Sequence, residues 1–299
     1  MNQLGEKELP SLITRFKYRI RNNDFFYRNI LNYRFRIKNF EIKNNYDLDQ
    51  IVDSLRKDGI VVSSLNKIFG TKLGMELLDS SERWIKLNEK NLKPNSVKKY
   101  LYSYLEQNIE IDLSNPIVQF YISPQLSYIA TKYLGYAPQL NEITIEKTVP
   151  VGDSNPIQSQ NWHRDPQEKR TLKIFLYLNN VTMDSGPFIY IKQSSPTSKG
   201  KYSKIAPQIL PKGSYPDPTL IENTVEKKDI FEAIGSKGTV IICDTAGIHK
   251  GGLARSNERI MSTGFYPSKF FTKGRNYKLE SLDLANIEKF SPLVKELLK

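Results

Sequence analysis

The stretch Ile143-Thr144-Ile145-Glu146-Lys147-Thr148-Val149 marks the point where the chain changes from helical to strand patterning. Ile143, Ile145, Lys147 and Val149 alternate with three polar residues, and a period of two is typical of a strand with one buried face. Further short strands are predicted at residues 172–178, 187–192, 238–243 and 259–267. Turn residues such as Asn179-Asn180 and Gly251-Gly252 separate them.

The front half of the chain has the spacing of amphipathic helices instead. Helices are predicted at residues 47–56, 73–91, 97–106 and 117–134, and a terminal helix at residues 281–299. A short apolar strand, Ile60-Val61-Val62, follows Gly59. Several short strands after a helical front half predict an α+β fold with a mainly β core. The expected core is a β-sandwich or jelly roll with flanking helices packed outside it.

Composition excludes some classes of protein. Cys243 is the single cysteine, so neither an intrachain disulfide nor a zinc site built on thiolates is available. The chain has no run near the roughly 18 consecutive apolar residues that a membrane-spanning helix needs. It begins without a signal-peptide pattern, so we expect a cytoplasmic protein without a membrane span.

The net charge of +12 comes from lysines that are scattered along the chain rather than clustered. Residues 1–47 are denser, with ten basic and five acidic residues, and we interpret them as a basic helical N-terminal extension. A solvated surface is the main interpretation of its charge, and a nucleic-acid or protein partner is the minor one. Residues 48–299 form the predicted main domain. Within it, residues 196–236 contain five prolines and are predicted to be a lid-like insertion.

The chain has only two histidines, His163 and His249. His163 and Asp165 are two residues apart, and on a strand such a pair faces the same way. A second imidazole from a distant strand would complete a 2-His-1-carboxylate facial triad, a set that suits non-haem Fe(II) and leaves positions open for dioxygen and a 2-oxo acid. A His-x-Asp tripeptide alone is weak evidence, because a surface turn or a simple His–Asp hydrogen bond also explains it.

The surroundings of His249 strengthen the hypothesis. His249 follows the apolar stretch at residues 239–243 and precedes a Gly-Gly turn, which places it at a strand end. Arg259 lies ten residues later and begins the last predicted strand of the core. A buried guanidinium there suits the distal carboxylate of a dicarboxylate cosubstrate. Arg255, in the Gly-rich turn, is the minor alternative.

Lys173 lies on a predicted strand between Leu172 and Ile174. Its side chain either faces solvent on a half-exposed sheet or points inward, where it would contact the cosubstrate or the substrate.

Together these segments resemble the phytanoyl-CoA dioxygenase-like family over roughly residues 50–270. The matching stretches are residues 55–62, Trp162-His163-Arg164-Asp165, residues 173–181, residues 186–191, residues 238–239 with 249–252, and Glu258-Arg259. The resemblance implies a double-stranded β-helix, a cupin-like jelly roll, with Fe(II), dioxygen, and 2-oxoglutarate converted to succinate and carbon dioxide. It assigns His163, Asp165 and His249 as metal ligands and Arg259 as the 2-oxoglutarate-binding arginine.

The sequence departs from that family pattern in two places. Lys192-Gln193-Ser194-Ser195 stands where relatives often have Pro-Gly-Ser-His. The arginine is also commonly one residue further from the second histidine. In contrast, Asp165 is a carboxylate and not the small residue of the family halogenases, which favours hydroxylation over halogenation.

Three functional classes remain open from the sequence. The leading one is a hydroxylase of a small molecule, such as a lipid, amino-acid, sugar or secondary-metabolite intermediate. The second is an oxygenase that acts on a nucleic acid or a protein, which the basic charge permits. The third is a metal-free, cupin-like binding protein. For an oxygenase, desaturation, ring closure and epimerisation are alternatives to hydroxylation, because all follow the same hydrogen abstraction.

Overall fold

The computed structural model describes residues 45–96, 98–105, 109–111, 113–211, 213–268, 274–279 and 287–298. The strands are β1 Ile60–Ser64, β2 Lys93–Pro94, β3 Leu101–Ser103, β4 Ile109–Ile111, β5 Glu142–Thr148, β6 Leu172–Tyr177, β7 Phe188–Ile191, β8 Ile230–Ala233, β9 Thr239–Asp244, β10 His249–Gly251, β11 Arg259–Tyr266 and β12 Tyr277–Leu279. The helices are α1 Tyr46–Asp58, α2 Leu65–Phe69, α3 Thr71–Asn88, α4 Pro116–Ile122, α5 Pro124–Leu134, α6 Ala206–Ile209, α7 Pro218–Thr224 and α8 Pro292–Leu298.

Two facing sheets form the core. Among the described residues, the major sheet has seven strands in the order β1-β9-β6-β11-β5-β3-β2, and the minor sheet has three in the order β10-β7-β8. Every pairing in both sheets is antiparallel. A separate parallel pair joins β12 to β4. The non-consecutive strand order of two facing antiparallel sheets is that of a cupin-like double-stranded β-helix, as the sequence predicts.

The helices cover the outer face of the major sheet. Apolar side chains of α1, α4 and α5 pack there with the outward residues of the strands, which include Ile143, Ile145 and Ile174. Helix α1 illustrates why these segments fold as predicted. The Asn45 side chain accepts a hydrogen bond from the Leu48 backbone N–H at 3.2 Å, and Gly59 ends the helix with a φ of 78°. No helix of the described part is both long and apolar enough to cross a membrane.

A smaller apolar cluster fills part of the space between the two sheets. Phe175, Tyr177 and Ile241 from the major sheet meet Phe188 and Tyr190 from the minor sheet. The rest of that space is a polar cavity. The two faces of each central strand therefore lie in different surroundings.

The helix predicted at residues 97–106 is wrong. Leu101–Ser103 is strand β3, which pairs with β5 through Leu101 and Thr148. The helical spacing is overridden by this pairing at the edge of the sheet. The single helix predicted at residues 117–134 is two helices, because Ser123 caps the second one and Pro124 cannot continue the first.

Two further predictions fall partly or wholly on residues that are not described. The basic extension at residues 1–47 lies almost entirely outside the described residues, which begin at residue 45. Of the predicted terminal helix, the described part contains a short 3-10 turn, Ile287–Lys289, and helix α8. The insertion at residues 196–236 carries α6, α7 and the whole of β8, and β8 pairs with β7.

Candidate metal centre

Backbone pairing brings the two histidines together. His163 and His249 form an antiparallel bridge in which each backbone N–H donates to the other residue's carbonyl, at 2.9 and 3.0 Å. Because His249 begins β10, the bridge attaches the His163 segment to the edge of the minor sheet. The two imidazole centroids lie 4.2 Å apart.

Both imidazoles have the tautomer that a metal ligand needs. His163 Nδ1 lies 2.9 Å from the Asn161 carbonyl oxygen, and His249 Nδ1 lies 3.0 Å from the Gly247 carbonyl oxygen. A carbonyl only accepts, so Nδ1 carries the proton and Nε2 presents a lone pair. Burial lowers the pKa of His163, and burial together with the neighbouring His163 lowers the pKa of His249 to about 3. Both rings are therefore neutral at neutral pH.

Asp165 supplies the carboxylate. Its backbone N–H donates to the Thr245 carbonyl at 2.9 Å, which fixes it beside the turn that precedes His249. Asp165 Oδ2 lies 2.8 Å from Lys173 Nζ and 4.0 Å from His249 Nε2. Burial alone would raise the pKa of Asp165. The charges of Lys173 and then of the two histidines lower it by more than burial raises it, so the pKa lies well below its usual range.

One ligand atom from each of His163, Asp165 and His249 lies within 4.8 Å of the other two. Two neutral imidazole nitrogens and one ionised carboxylate on one side of a cavity are the donor set of a 2-His-1-carboxylate site. The residues therefore fit a divalent iron.

Arg259 lies in the same cavity. It begins β11, is 6% exposed, and its Nη1 and Nη2 donate to the Gly186 carbonyl oxygen and, at 3.3 Å, to Thr148 Oγ1. Its Nε makes no hydrogen bond within the described residues. Arg255, by contrast, is partly exposed and contacts Gly152 and Asp153 outside the cavity. The structure therefore brings Arg259, and not Arg255, to the cavity that the histidines line.

A close backbone approach at Gly186 makes this placement of Arg259 possible. Gly186 has a φ of 70°, and a Cβ there would lie 2.5 Å from the Gly252 carbonyl oxygen. Only glycine fits this position without moving the backbone. The Gly251-Gly252 turn after His249 is thereby held against the start of β7, beside the Arg259 guanidinium.

The cavity between the sheets has a volume of about 440 Å³. His163, Asp165, His249, Arg259 and Lys173 all line it. Lys173 thus points inward rather than to solvent. It contacts Asp165, and its predicted contact with a cosubstrate stays a prediction.

Two residues without a predicted role hold the ligand-bearing segments in place. The first is Asp244, which is fully buried at the end of β9. Its carboxylate accepts hydrogen bonds from Thr171 N, Ala246 N, Tyr133 Oη, Ser195 Oγ and Thr197 Oγ1, at 2.7 to 3.3 Å. This network fixes the turn that leads to His249. A lone acidic residue directly after an apolar strand is the sequence signal that points to it.

The second is Arg164, between the two predicted ligands. It is 2% exposed, and its guanidinium donates to the carbonyls of Ala246 at 2.7 Å and Leu210 at 3.2 Å. Its own carbonyl accepts from Gly213 N at 3.1 Å. Arg164 therefore ties the His-x-Asp segment to the turn before His249 and to the insertion. Arg164 stands between two polar residues, so no hydrophobic periodicity in the sequence predicts that its side chain is buried.

In sequence, no family model and no curated protein matches the chain. In structure, EctD from S. alaskensis in its apo form is similar with a TM-score of 0.52 and 16% identity, over 81% of this chain and 91% of EctD. This similarity supports the shared fold.

Two further solved structures have lower scores. The epimerase SnoN, in complex with Fe3+, alpha ketoglutarate and nogalamycin RO, has a TM-score of 0.49 and 12% identity, over 75% of this chain and 85% of SnoN. The non-heme alpha ketoglutarate dependent carbocyclase SnoK from nogalamycin biosynthesis has a TM-score of 0.47 and 13% identity, over 73% and 83% of the two chains.

Proposed function

We propose that this protein is a non-haem Fe(II)- and 2-oxoglutarate-dependent dioxygenase that hydroxylates a small molecule. The observation that carries the proposal is the convergence, in one cavity of a double-stranded β-helix, of the His163–Asp165–His249 donor set and the buried Arg259. A metal-free binding protein needs no such set. Within the superfamily, the resemblance to phytanoyl-CoA dioxygenases stays a hypothesis.

In this proposal His163, Asp165 and His249 hold the iron. Arg259 binds the distal carboxylate of 2-oxoglutarate, and the Thr148 hydroxyl beside its Nη2 is a second polar group of the same cavity. When bound, the iron supplies the activation of dioxygen, in which 2-oxoglutarate becomes succinate and carbon dioxide and one oxygen atom enters the substrate. The aromatic wall of Phe175 and Phe188 beside His249 excludes water from one side of the site.

Lys173 has a distinct role in this scheme. Its ammonium pairs with Asp165 and keeps that carboxylate ionised and oriented toward His249. In addition, we propose that Lys173 contacts the cosubstrate or substrate once a metal ion compensates Asp165.

A cavity of about 440 Å³ suits a small substrate, since such sites usually measure about 300–1,000 Å³. The insertion at residues 196–236 supplies Gly213 and Tyr215 to its lining, and the Tyr215 and His163 ring centroids are 5.8 Å apart. Tyr215 is nevertheless 53% exposed, so it lies at the mouth of the cavity. We therefore propose that this insertion acts as a lid over the bound substrate.

The test is anaerobic titration of the full-length protein with Fe(II) and then 2-oxoglutarate. We expect one iron per chain and a charge-transfer absorption band that needs both additions. Admission of oxygen should then release succinate. A protein that binds iron without forming the band would not be a 2-oxoglutarate enzyme, and one that binds no iron would be a metal-free cupin-like protein.

A further inference from the structure

Two carboxylates face the cavity without a part in the proposed iron and cosubstrate contacts. Glu142 and Glu146 lie on β5 on the same face as Thr144 and Thr148, because successive residues of a strand alternate between its faces. All four side chains line the cavity. Glu142 and Glu146 are four residues apart on β5, where they pair with Phe265 and Met261 of β11. The wall opposite the minor sheet is therefore acidic.

Glu146 has no ionic or hydrogen-bonding partner among the described residues. It makes no hydrogen bond, and no lysine or arginine nitrogen lies within the 4.0 Å of an ion pair. Burial raises the pKa of Glu146 and the charge of Glu142 adds to the rise, while Lys98, Arg259 and Lys173 lower it. Glu146 is half-buried at the cavity surface, so its carboxylate is accessible to an incoming cation that would pair with it.

A second observation in the same cavity is independent of the carboxylates. Gln160 is 4% exposed, and its Oε1 accepts from the Ile157 backbone N–H at 3.1 Å. Its Nε2 makes no hydrogen bond within the described part of the chain, although Gln160 lines the cavity. Buried polar groups are nearly always hydrogen-bonded, so this donor is available to an acceptor on a bound molecule.

The cationic side chains of the cavity do not cancel this acidity. Lys173 is paired with Asp165, and Arg259 is the residue assigned to the cosubstrate. Lys98 lines the cavity but lies beyond ion-pair distance of Glu146. Once the Lys173–Asp165 pair, Arg259 and the carbonyl-bound Arg164 are set aside, the charged groups of the lining are two carboxylates, Glu142 and Glu146, and one ammonium, Lys98.

We infer that the substrate of the proposed oxygenase is a small molecule with a protonated amine, which pairs with Glu146, and an uncharged oxygen acceptor, which takes the Gln160 hydrogen bond. Glu142 adds negative potential to the same wall. This inference rests on the proposed function for the reaction, but the amine site itself is a binding property of the chain.

The test compares matched pairs of small molecules that differ only in charge. The probes are 1,4-diaminobutane against 1,4-butanediol, 2-aminoethanol against ethylene glycol, and glucosamine against glucose. Binding is measured by titration calorimetry to the anaerobic protein loaded with Fe(II) and 2-oxoglutarate, and to the metal-free protein. We expect at least one amine to bind and its neutral partner to bind about tenfold more weakly or worse.

The variant Glu146→Gln keeps the shape and removes the charge. It should weaken the amine about 10- to 150-fold, the affinity equivalent of about 1.5–3 kcal/mol for a hydrogen bond to a charged group. The neutral partner should be unaffected. Glu76→Gln, on the exposed face of α3, is the matched control and should change neither. Glu146→Asp, which retains the charge, should keep part of the preference, and thermal unfolding of each variant verifies the fold.

The outcomes separate the two proposals. Equal binding of amines and alcohols, no binding of any probe to the wild-type protein, or a preference that survives in the Glu142→Gln/Glu146→Gln double variant each overturns the amine inference. The charge-transfer band is recorded on the same samples. A Glu146-dependent amine preference without that band would support the amine site and refute the oxygenase. The band without any amine preference would do the reverse.

Discussion

The two faces of the major sheet differ sharply in their chemistry, although the same strands make both. On the helix-facing side, Ile143 and Ile145 of β5 are fully or almost fully buried against α4 and α5. On the cavity side, Thr144 and Glu146 of the same strand line the cavity of the candidate metal centre and lack such packing. The outer face is dry and apolar, and the inner face is polar and charged.

This difference separates stability from chemistry along a single strand. Apolar burial contributes roughly 25 cal/mol per Å², so the outer face supports the fold. The inner face carries ionisable groups whose partners are other charges, a metal or a ligand. Neighbouring residues of β5 and β11 should therefore respond to substitution in different measurements, and the predictions below test that separation.

The largest expected effect is the loss of iron from variants of the inner site. His163→Ala or His249→Ala should leave the iron content near zero, because two remaining donors cannot hold the ion facially. Elemental analysis of protein reconstituted without oxygen measures this. Asp153→Ala, which removes an exposed carboxylate, is the control and should keep its iron. Full iron content in both histidine variants would exclude this triad.

Substitution of Arg259 should affect the cosubstrate and leave the metal bound. Loss of one partner of a buried, hydrogen-bonded charge pair costs about 2–5 kcal/mol, so Arg259→Ala should weaken 2-oxoglutarate roughly 30-fold to several thousand-fold. Arg259→Lys should recover part of that loss, because a point charge lacks the two-pronged contact. Titration of the charge-transfer band without oxygen measures the affinity.

Arg255→Ala is the matched control for Arg259→Ala and should change little, because Arg255 lies outside the cavity. A large loss in Arg255→Ala with none in Arg259→Ala would reverse the assignment. No loss in either variant would place the cosubstrate elsewhere, with Lys173 as the next residue to test.

The outer face is tested by neighbouring substitutions on β5. Ile145→Ala should lower the free energy of unfolding by about 2–5 kcal/mol, because it leaves a cavity in a fully buried cluster. Thr144→Ala, one residue earlier, should change it by less than about 1 kcal/mol. Urea unfolding measures both. If Thr144→Ala is as destabilising as Ile145→Ala, the separation of the two faces does not hold.

The smallest expected effect is at Lys173, which lies on the inner face of the major sheet and forms an ion pair with Asp165. Lys173→Met leaves the Asp165 carboxylate without its ion pair and should destabilise the metal-free protein by about 1–3 kcal/mol. A divalent ion neutralises Asp165 directly, so the thermal stabilisation on adding Fe(II) should exceed that of the wild type. Lys72→Met, at an exposed position of α3, should behave as the wild type. An unchanged metal-free stability would mean that the Lys173–Asp165 pair contributes nothing.

Much of the fold was predictable because it depends on periodicity. The strands at β5, β6, β7, β9 and β11 are where alternating or apolar stretches predict them, to within one or two residues. The errors have a common cause. Leu101–Ser103 has helical spacing but becomes a strand because the edge of β5 is available to pair with it. Such a contact joins residues far apart in the chain, and a local pattern does not contain it.

The candidate site divides in the same way. The residue types of His163, Asp165 and His249 predict a metal centre, and the structure brings their donor atoms together. The position of Arg259 at a strand start predicts an inward side chain, and Arg259 lines the same cavity. Lys173 was ambiguous, since a strand period of two does not say which face is the inner one. Lys173 shares a face with Phe175 and Tyr177, and only the packing of the minor sheet against that face makes it the inner one.

By itself, the sequence determined which residues can act as donors and which segments alternate, because side-chain chemistry and backbone periodicity are local properties. The tertiary structure alone decided that Arg259 and not Arg255 reaches the cavity, that Asp244 and Arg164 hold the ligand-bearing segments, and that Glu146 faces it without a partner. These facts depend on the packing of segments that lie far apart in the sequence, such as Arg164 and Ala246, and burial and pairing arise only from that packing.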